Sequence, residues 1–526
     1  MKSPKSHTKA KHCLQKGQVV RATIASLAPG GEGVTREQGP AIFVDRVAPG
    51  DVVDIELFDV RNDFAKGNAV RLIEPSAQRA EPPCQLFKVC GGCQWQHLGY
   101  EWQLKAKEDL VRQTIKHIAG LDAEIVLPTL PAPLPFYYRN KVQFPVAQPK
   151  GSKRILAGYY KRNSHDLVNI KHCPVQPEPL DRMLAAVKEV CEVHGFYAYA
   201  ERSRSGLLRH IVARYSFDRQ QVLLTLVLNA DGGQAQSGSA VAASAGDADD
   251  DPLKAQPARQ RYSAARSPAQ AGSVPSAHEL VRRSGPLARQ VMEAVPEIRG
   301  VCLNFNPDAG NRILGDVTVC VAGQEHIIER IAAEQADAPE RLRQGLEFRL
   351  SSQSFFQVNS RQIAALLEEV RASVMGFTQL AVDAYAGVGT IALWLAPVCA
   401  RVIAVEEHGG AVADGVANCS LNDLGNVEFR QGRVEEVLPA ITAEGQMPSV
   451  LILDPPRKGI SEQVLAHIAK MEVERIVYVS CNPATLARDL RILAGNGYKT
   501  RKIRPIDMFP QTYHVESVAV LDLGGQ

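Results

Sequence analysis

The sequence predicts a multidomain α/β chain: a small OB-like β-barrel, then a mixed α+β middle, then a doubly wound α/β unit. Three observations predict it. A chain of 526 residues is too long for one hydrophobic core. Its first part is made of short β-rich runs separated by Gly/Pro turns. From residue 346 onward, short apolar runs alternate with amphipathic segments, as parallel strands and their crossover helices do. Hydrophobic content of 45% and charged content of 22% are ordinary for globular proteins.

Residues 1–15 form a basic tail. The barrel, residues 16–78, rests on the runs "QVVRATIASL", "AIFVDRV", "DVVDIELFDV" and "AKGNAVRLIE", punctuated by "APGGEG" and "APGD". Barrels of this kind often hold nucleic acid, though one can also serve as a structural cap. The net charge of +3 says little about partners; the cluster "ERSRSGLLRH" and the Lys-rich start say more. No apolar run reaches membrane-spanning length, and "MKSPKSHTKAKHCLQKGQ" has no apolar secretory core. The expectation is a cytoplasmic protein without a membrane partner. Eleven scattered cysteines do not resemble a secreted disulfide framework; in a reducing compartment they bind metal, act in catalysis or are simply buried.

The middle, residues 79–345, opens with "PPCQLFKVCGGCQWQ", in which Cys84, Cys90 and Cys93 are spaced C-x5-C-x2-C; "IKHCPVQP" adds Cys173. Gly91 and Gly92 let the backbone wrap closely around a metal centre. Four thiolates suit zinc or an iron–sulfur cluster equally on spacing, and the set can also stay metal-free. The spacing differs from that of radical generators. Cys13, Cys191, Cys302, Cys320, Cys399 and Cys419 read as unligated. A helical stretch, "YEWQLKAKEDLVRQTIKHIA", and β segments such as "RNKVQFPV", "LLRHIVARYS" and "QVLLTLVLN" follow. Residues 231–277 then turn to Ala, Ser, Gly, Asp, Gln and Pro, a composition expected of a disordered insertion.

The last unit, residues 346–526, carries the chemistry. "LAVDAYAGVGTIALWLA", "RVIAVEE", "SVLILDPP" and "RIVYVSCN" supply four strands, and "KIRPIDMFPQTYHVESVAVLDL" predicts a hairpin on the sheet edge. The loop at Gly387 and Gly389 leads from a strand into a helix, where backbone can approach an electron-rich ligand. Glu406, at the tip of the next strand, is placed for ribose hydroxyls. This stretch alone fits S-adenosylmethionine, NAD or a non-binding turn. The later strands favour the methyl donor: Asp454 and Cys481 end them at the same crevice, and a dehydrogenase has no use for that thiol.

A cysteine before a helix can have its thiolate stabilised by the helix N-terminus, or can be a small buried residue. Beside a methyl donor it suggests one reaction. Thiolate addition to uracil carbon 6 makes carbon 5 nucleophilic, and a base must later remove the carbon 5 proton. Glu516, in "HVESVAV", is the candidate base; its alternative is an exposed edge-strand charge.

In this order, "DAYAGVGT", "DPPRKG", "SCNPATLARDL" and "DMFPQTYHVE" resemble the RNA uracil-C5 methyltransferase family, and "SSQSFFQVN" extends the likeness upstream. The resemblance implies a Rossmann-like class I methyltransferase domain at 346–526. It implies Cys481 as nucleophile, Glu516 as base, and Gln357, Tyr385, Glu406 and Asp454 as S-adenosylmethionine contacts. Some relatives carry Phe at Tyr385. A further contact, Asn in some relatives, falls on Arg433, which is left outside the site. The barrel is similar to TRAM domains, RNA-binding appendages of some RNA-modifying enzymes. Similar cysteines in the ribosomal-RNA branch hold a [4Fe-4S] cluster, implying Cys84, Cys90, Cys93 and Cys173 as its ligands.

The expectation is therefore an enzyme making 5-methyluridine in RNA, 23S ribosomal RNA first and transfer RNA as the alternative. It would act as a monomer on a flipped uridine, not on DNA. The rivals are an NAD-linked oxidoreductase, disfavoured by Cys481 with Glu516, and a non-catalytic RNA-binding or ribosome-assembly protein, disfavoured by the presence of both nucleophile and base.

Overall fold

The computed structural model describes residues 14–201, 203–232 and 276–524. Nearly all of the 231–277 insertion and of the basic tail lies outside the described residues.

In the N-terminal unit, strands Val19–Thr23, Val52–Val60, Phe64–Glu74, Ala41–Val44, Gly33–Thr35 and Ser26–Leu27 lie side by side in that order. The first and last are almost continuous in sequence, so the sheet curls back on itself. Alternation turns Val20, Ala22, Ile24, Val53, Ile55 and Leu57 into one core. The sequence shows four runs where the fold has six strands, because Ser26–Leu27 and Gly33–Thr35 are too short to leave a pattern.

The middle sheet has seven strands, in the order Val317–Gly323, Ile298–Phe305, Gln221–Leu228, Leu208–Ser216, Lys141–Ala147, Leu156–Tyr160 and Leu167–Asn169. Helices Glu178–Val193 and Ala277–Ala294 bury their apolar stripes on one face, where Val142 and Phe144 meet Leu184 and Leu287 in one core. The other face meets the C-terminal unit: Leu223 and Cys302 join its core, and the Thr225 and Ser352 hydroxyls lie 2.7 Å apart.

The C-terminal sheet runs Val427–Gln431, Arg401–Glu406, Leu380–Ala384, Val450–Leu453, Arg475–Ser480, Glu516–Leu523, Tyr498–Ile506. The first five are parallel, and Glu516–Leu523 is antiparallel to both its neighbours. Strand order reverses between Leu380–Ala384 and Val450–Leu453, which opens a crevice at the carboxyl ends. The strands are buried on both faces, as their unbroken apolar runs require.

Three details differ from the sequence reading. The hairpin does not simply extend the edge: its last strand is inserted beside Arg475–Ser480 and only Tyr498–Ile506 is at the edge. The hairpin His326–Ile331 with Leu346–Ser351 puts Ile327, Ile331 and Leu342 into the C-terminal core, so that unit starts before residue 346. Helix Tyr100–Thr114 and the π-turn Ile115–Ala119, although within 79–345, pack Val111 and Ile115 against Leu486 and Leu490 of the C-terminal sheet's cover. Periodicity indicates that a helix buries a face, not which element receives it.

Candidate active site

The six site residues expected in the C-terminal unit line one cavity of about 1660 Å³. Their positions follow from the topology. Tyr385 follows strand Leu380–Ala384, Glu406 ends the next, Asp454 follows Val450–Leu453 and Cys481 follows Arg475–Ser480. Glu516 starts the antiparallel strand, so its first residue reaches the same end as the others' last. Gln357 comes from the preceding loop, where Asn140 of the middle sheet donates its Nδ2 to the Gln357 carbonyl at 3.0 Å and its N–H to the Val358 carbonyl at 2.8 Å.

The turn after the first strand is tightly specified. Tyr385 has φ +72°, a left-handed conformation that aromatic residues rarely adopt. Gly389 has φ +83°, and a Cβ there would stand 2.6 Å from Leu393 and 2.7 Å from Phe429. The Glu406 carboxylate accepts hydrogen bonds from Gly387 N–H at 2.9 Å and His408 N–H at 2.8 Å, fixing the strand tip to the glycine loop.

Burial pushes the Cys481 thiol up to about 11, with Glu516 and Asp454 adding to the rise and Arg457 opposing it. The N-cap of helix Pro483–Gly495 is taken by Asn482, whose side chain accepts from Ala484 N–H at 3.1 Å. Glu516 is 2% exposed, which removes the reading of a solvated edge charge. Burial, then Asp454, raise its carboxyl well above the usual range, against Arg457. Burial takes Asp454 up to about 7.

Glu516 is reached through a firmly held loop. Lys107 and Asp507, both fully buried, form an ion pair at 2.5 Å, and Tyr100 donates to Asp507 at 2.9 Å. Gln94 and Trp95 N–H groups both donate to the Gln511 carbonyl at 3.0 Å, and Gln103 exchanges hydrogen bonds with Gln511. The cysteine-rich loop and the Tyr100 helix thus brace the segment that carries the base.

Two residues of the cavity escaped the sequence reading. Arg433, left out there, lines the cavity beside Glu435. Asp383 opens "DAYAGVGT", accepts from Ala392 N–H at 3.0 Å, and leaves its buried Oδ1 without a partner. Its position as the inward residue of a buried strand next to the glycine loop was the available signal.

Four of the middle unit's seven cysteines, Cys84, Cys90, Cys93 and Cys173, lie near one another. Cys90, Cys93 and Cys173 touch the unit's core, and burial raises Cys93 and Cys173 to about 12, with neighbouring cysteines, Cys84 included, adding to both. Gly92 N–H points at Cys90 Sγ at 3.4 Å, and a Cβ on Gly91 would collide with the Tyr160 carbonyl at 2.9 Å. Among the described residues, no three His, Cys, Asp or Glu side chains are disposed to grip a metal ion. The expected cluster is therefore not shown by the fold.

Comparison with known proteins bears on all of this. A model of the tRNA (uracil-5-)-methyltransferase family matches residues 329–523, and a TRAM domain model matches 14–70. An uncharacterized RNA methyltransferase of Halalkalibacterium halodurans is 34% identical over 97% of this chain and 98% of its own length. One from Thermosynechococcus vestitus is 38% identical over 96% and 98%. This chain belongs to the RNA uracil-C5 methyltransferase family. It is an RNA methyltransferase with an N-terminal TRAM domain. The solved Pyrococcus abyssi tRNA (uracil-54, C5)-methyltransferase, in complex with S-adenosyl-L-homocysteine, superposes with a TM-score of 0.67, covering 95% of this chain and 100% of that one. At 24% identity that likeness speaks for the fold. Among the described residues, no helix is long and apolar enough to cross a membrane.

Proposed function

We propose that this methyltransferase uses S-adenosylmethionine to make 5-methyluridine in 23S ribosomal RNA, through a covalent bond between Cys481 and uracil carbon 6. The observation that carries the reading is the meeting of Cys481 and Glu516 at one end of the C-terminal sheet, in a cavity that also holds Gln357, Tyr385, Glu406 and Asp454.

S-adenosylmethionine supplies the methyl group as an electrophilic sulfonium. Glu406 is placed to take ribose hydroxyls, and Tyr385, Gln357 and Asp454 to complete the pocket. Cys481, after its thiol proton passes to solvent, bonds through Sγ to carbon 6 of a uridine flipped into the crevice, and the electron pair of the 5,6 double bond moves onto carbon 5 and oxygen 4. Carbon 5 then takes the methyl group. Glu516 removes the carbon 5 proton, the double bond reforms, and Cys481 leaves. The burial that raises the Glu516 carboxyl serves this last step, since its ionised form is a far stronger base than a solvated carboxylate.

Cys84, Cys90, Cys93 and Cys173 would hold a [4Fe-4S] cluster. The donor set is right for it, and Arg139, whose charge is favoured by Tyr159 and Tyr138 and then by Cys173 and Cys93, offers a counter-charge. Its part would be structural, shaping the RNA-binding side of the molecule. TRAM domain and cluster together favour ribosomal RNA; the description of the matching family model names transfer RNA. Mapping 5-methyluridine in both RNAs from cells with and without the gene tests the reading. A site lost from 23S ribosomal RNA is expected; loss from transfer RNA alone would move the substrate, and no loss would refute the activity.

A further inference from the structure

Outside the reaction cavity, two thiols face each other across neighbouring strands. Cys302 and Cys320 are register partners in the antiparallel pair Ile298–Phe305 and Val317–Gly323, next to a bulge at which the register shifts after Val301. Partners in a regular ladder have Cα atoms about 4.5–5.5 Å apart, inside the range a disulfide bridges, and here the two thiols are close enough to hydrogen-bond. Cys302 is 1% exposed, whereas Cys320 is half-buried on a strand that forms the sheet's edge. The connection between these strands supplies Asn311, Arg312, Ile313, Leu314, Gly315 and Asp316 to the cavity wall. Gln353 Nε2, from the wall's other side, donates to the Gly315 and Asp316 carbonyls at 3.0 and 3.1 Å.

We propose that Cys302 and Cys320 form a reversible cross-strand disulfide on exposure to peroxide, fastening the hairpin whose loop walls the reaction cavity. The exposed partner starts the reaction. Cys320 thiolate attacks the peroxide O–O bond, giving a sulfenic acid and hydroxide. Cys302 sulfur then attacks the sulfenic sulfur, the S–S bond forms, and hydroxide leaves with the Cys302 proton as water. In sum two thiols and one hydrogen peroxide give one disulfide and two waters. The hydrogen bond from Cys302 lowers the Cys320 thiol to about 7 against burial, which favours its thiolate as the attacking sulfur. Joining the strands restricts the loop between them.

The test uses the reduced full chain treated with hydrogen peroxide, alkylated, and digested without reductant. The expected product is one peptide pair joined through Cys302 and Cys320, lighter by two hydrogens and separated by dithiothreitol. Amide exchange in residues 306–316 should slow in the oxidised form and recover on reduction. In Cys302→Ser, peroxide should stop at a Cys320 sulfenic acid that dimedone traps; Cys320→Ser should leave Cys302 unmodified. Recovery of Cys320 as sulfinic acid beside alkylated Cys302 in the unmutated chain, or its linkage to another cysteine, would overturn the proposal. Unchanged exchange in 306–316 would overturn the fastening.

Discussion

Cys481 and Glu516 stand beside each other across two antiparallel strands: Ser480 pairs with Ser517, and the next position along the register sets the cysteine opposite the glutamate. Neither residue needs a flexible loop to find the other. The insertion of Glu516–Leu523 next to Arg475–Ser480 fixes both.

That proximity has an electrostatic consequence. Alkylation of Cys481 in the free enzyme should accelerate with pH up to about 11, the level to which burial and two carboxylates raise it. Glu516→Gln removes one negative neighbour and should shift the profile to lower pH. Arg457→Gln removes the opposing positive charge and should shift it to higher pH. Rates of iodoacetamide labelling, read by peptide mass spectrometry, check both signs.

Release of methylated RNA from the covalent complex should also rise as the solution becomes more alkaline. A carboxyl raised by burial is protonated below its pKa, so Glu516 gains its function as a base only as pH climbs, and Asp454 ionises around 7. A profile of free methylated product against pH that fell between pH 6 and 8 would contradict this ordering.

Cofactor binding should depend on Glu406 separately from chemistry. Losing hydrogen bonds from a carboxylate to two ribose hydroxyls costs about 1.5–3 kcal/mol. Glu406→Ala should thus weaken S-adenosylmethionine roughly 10- to 100-fold by calorimetry. Cys481→Ala should leave that affinity close to wild type.

Lys107→Met should destabilise the fold and disturb the base. It strands Asp507, fully buried, without its cation, a change that costs about 3–5 kcal/mol. Urea unfolding should show the loss, and Lys107→Met with Asp507→Leu should recover much of it. Because Asp507 begins the loop to Glu516, the single variant should also lower kcat more than it raises KM.

Much of this was legible in the sequence, for a physical reason. Parallel strands buried on both faces leave unbroken apolar runs, and the residue that ends each run must lie at the crevice, so Glu406, Asp454 and Cys481 could be placed together from the sequence, whereas Tyr385 came only with the family resemblance. Other features left no such trace. The helix Tyr100–Thr114 is amphipathic wherever it packs, and its seat on the C-terminal sheet is set by Lys107 meeting Asp507 four hundred residues away. Asp383 sits inside a quoted motif, yet only its unpartnered Oδ1 marks it as more than a strand residue. The rise in the thiol's pKa was likewise hidden, because burial and the neighbouring Glu516 and Asp454 carboxylates that cause it are assembled only by the fold.

The four-cysteine site has its own test. Protein purified without oxygen should carry about four irons and four sulfides, and Cys90→Ser should lose the brown colour and weaken RNA binding more than cofactor binding. Stoichiometric zinc without iron would contradict the assignment.

The most direct measurement is denaturing electrophoresis of the enzyme with labelled RNA carrying 5-fluorouridine at the target. Fluorine cannot leave as a cation, so wild-type protein should remain bound to the RNA through denaturation. Glu516→Gln should accumulate a methylated complex of the same kind even with ordinary uridine. Cys481→Ala should form no complex and transfer no methyl group. If Cys481→Ala still methylates, or still forms the complex with 5-fluorouridine, Cys481 is not the nucleophile and the account fails.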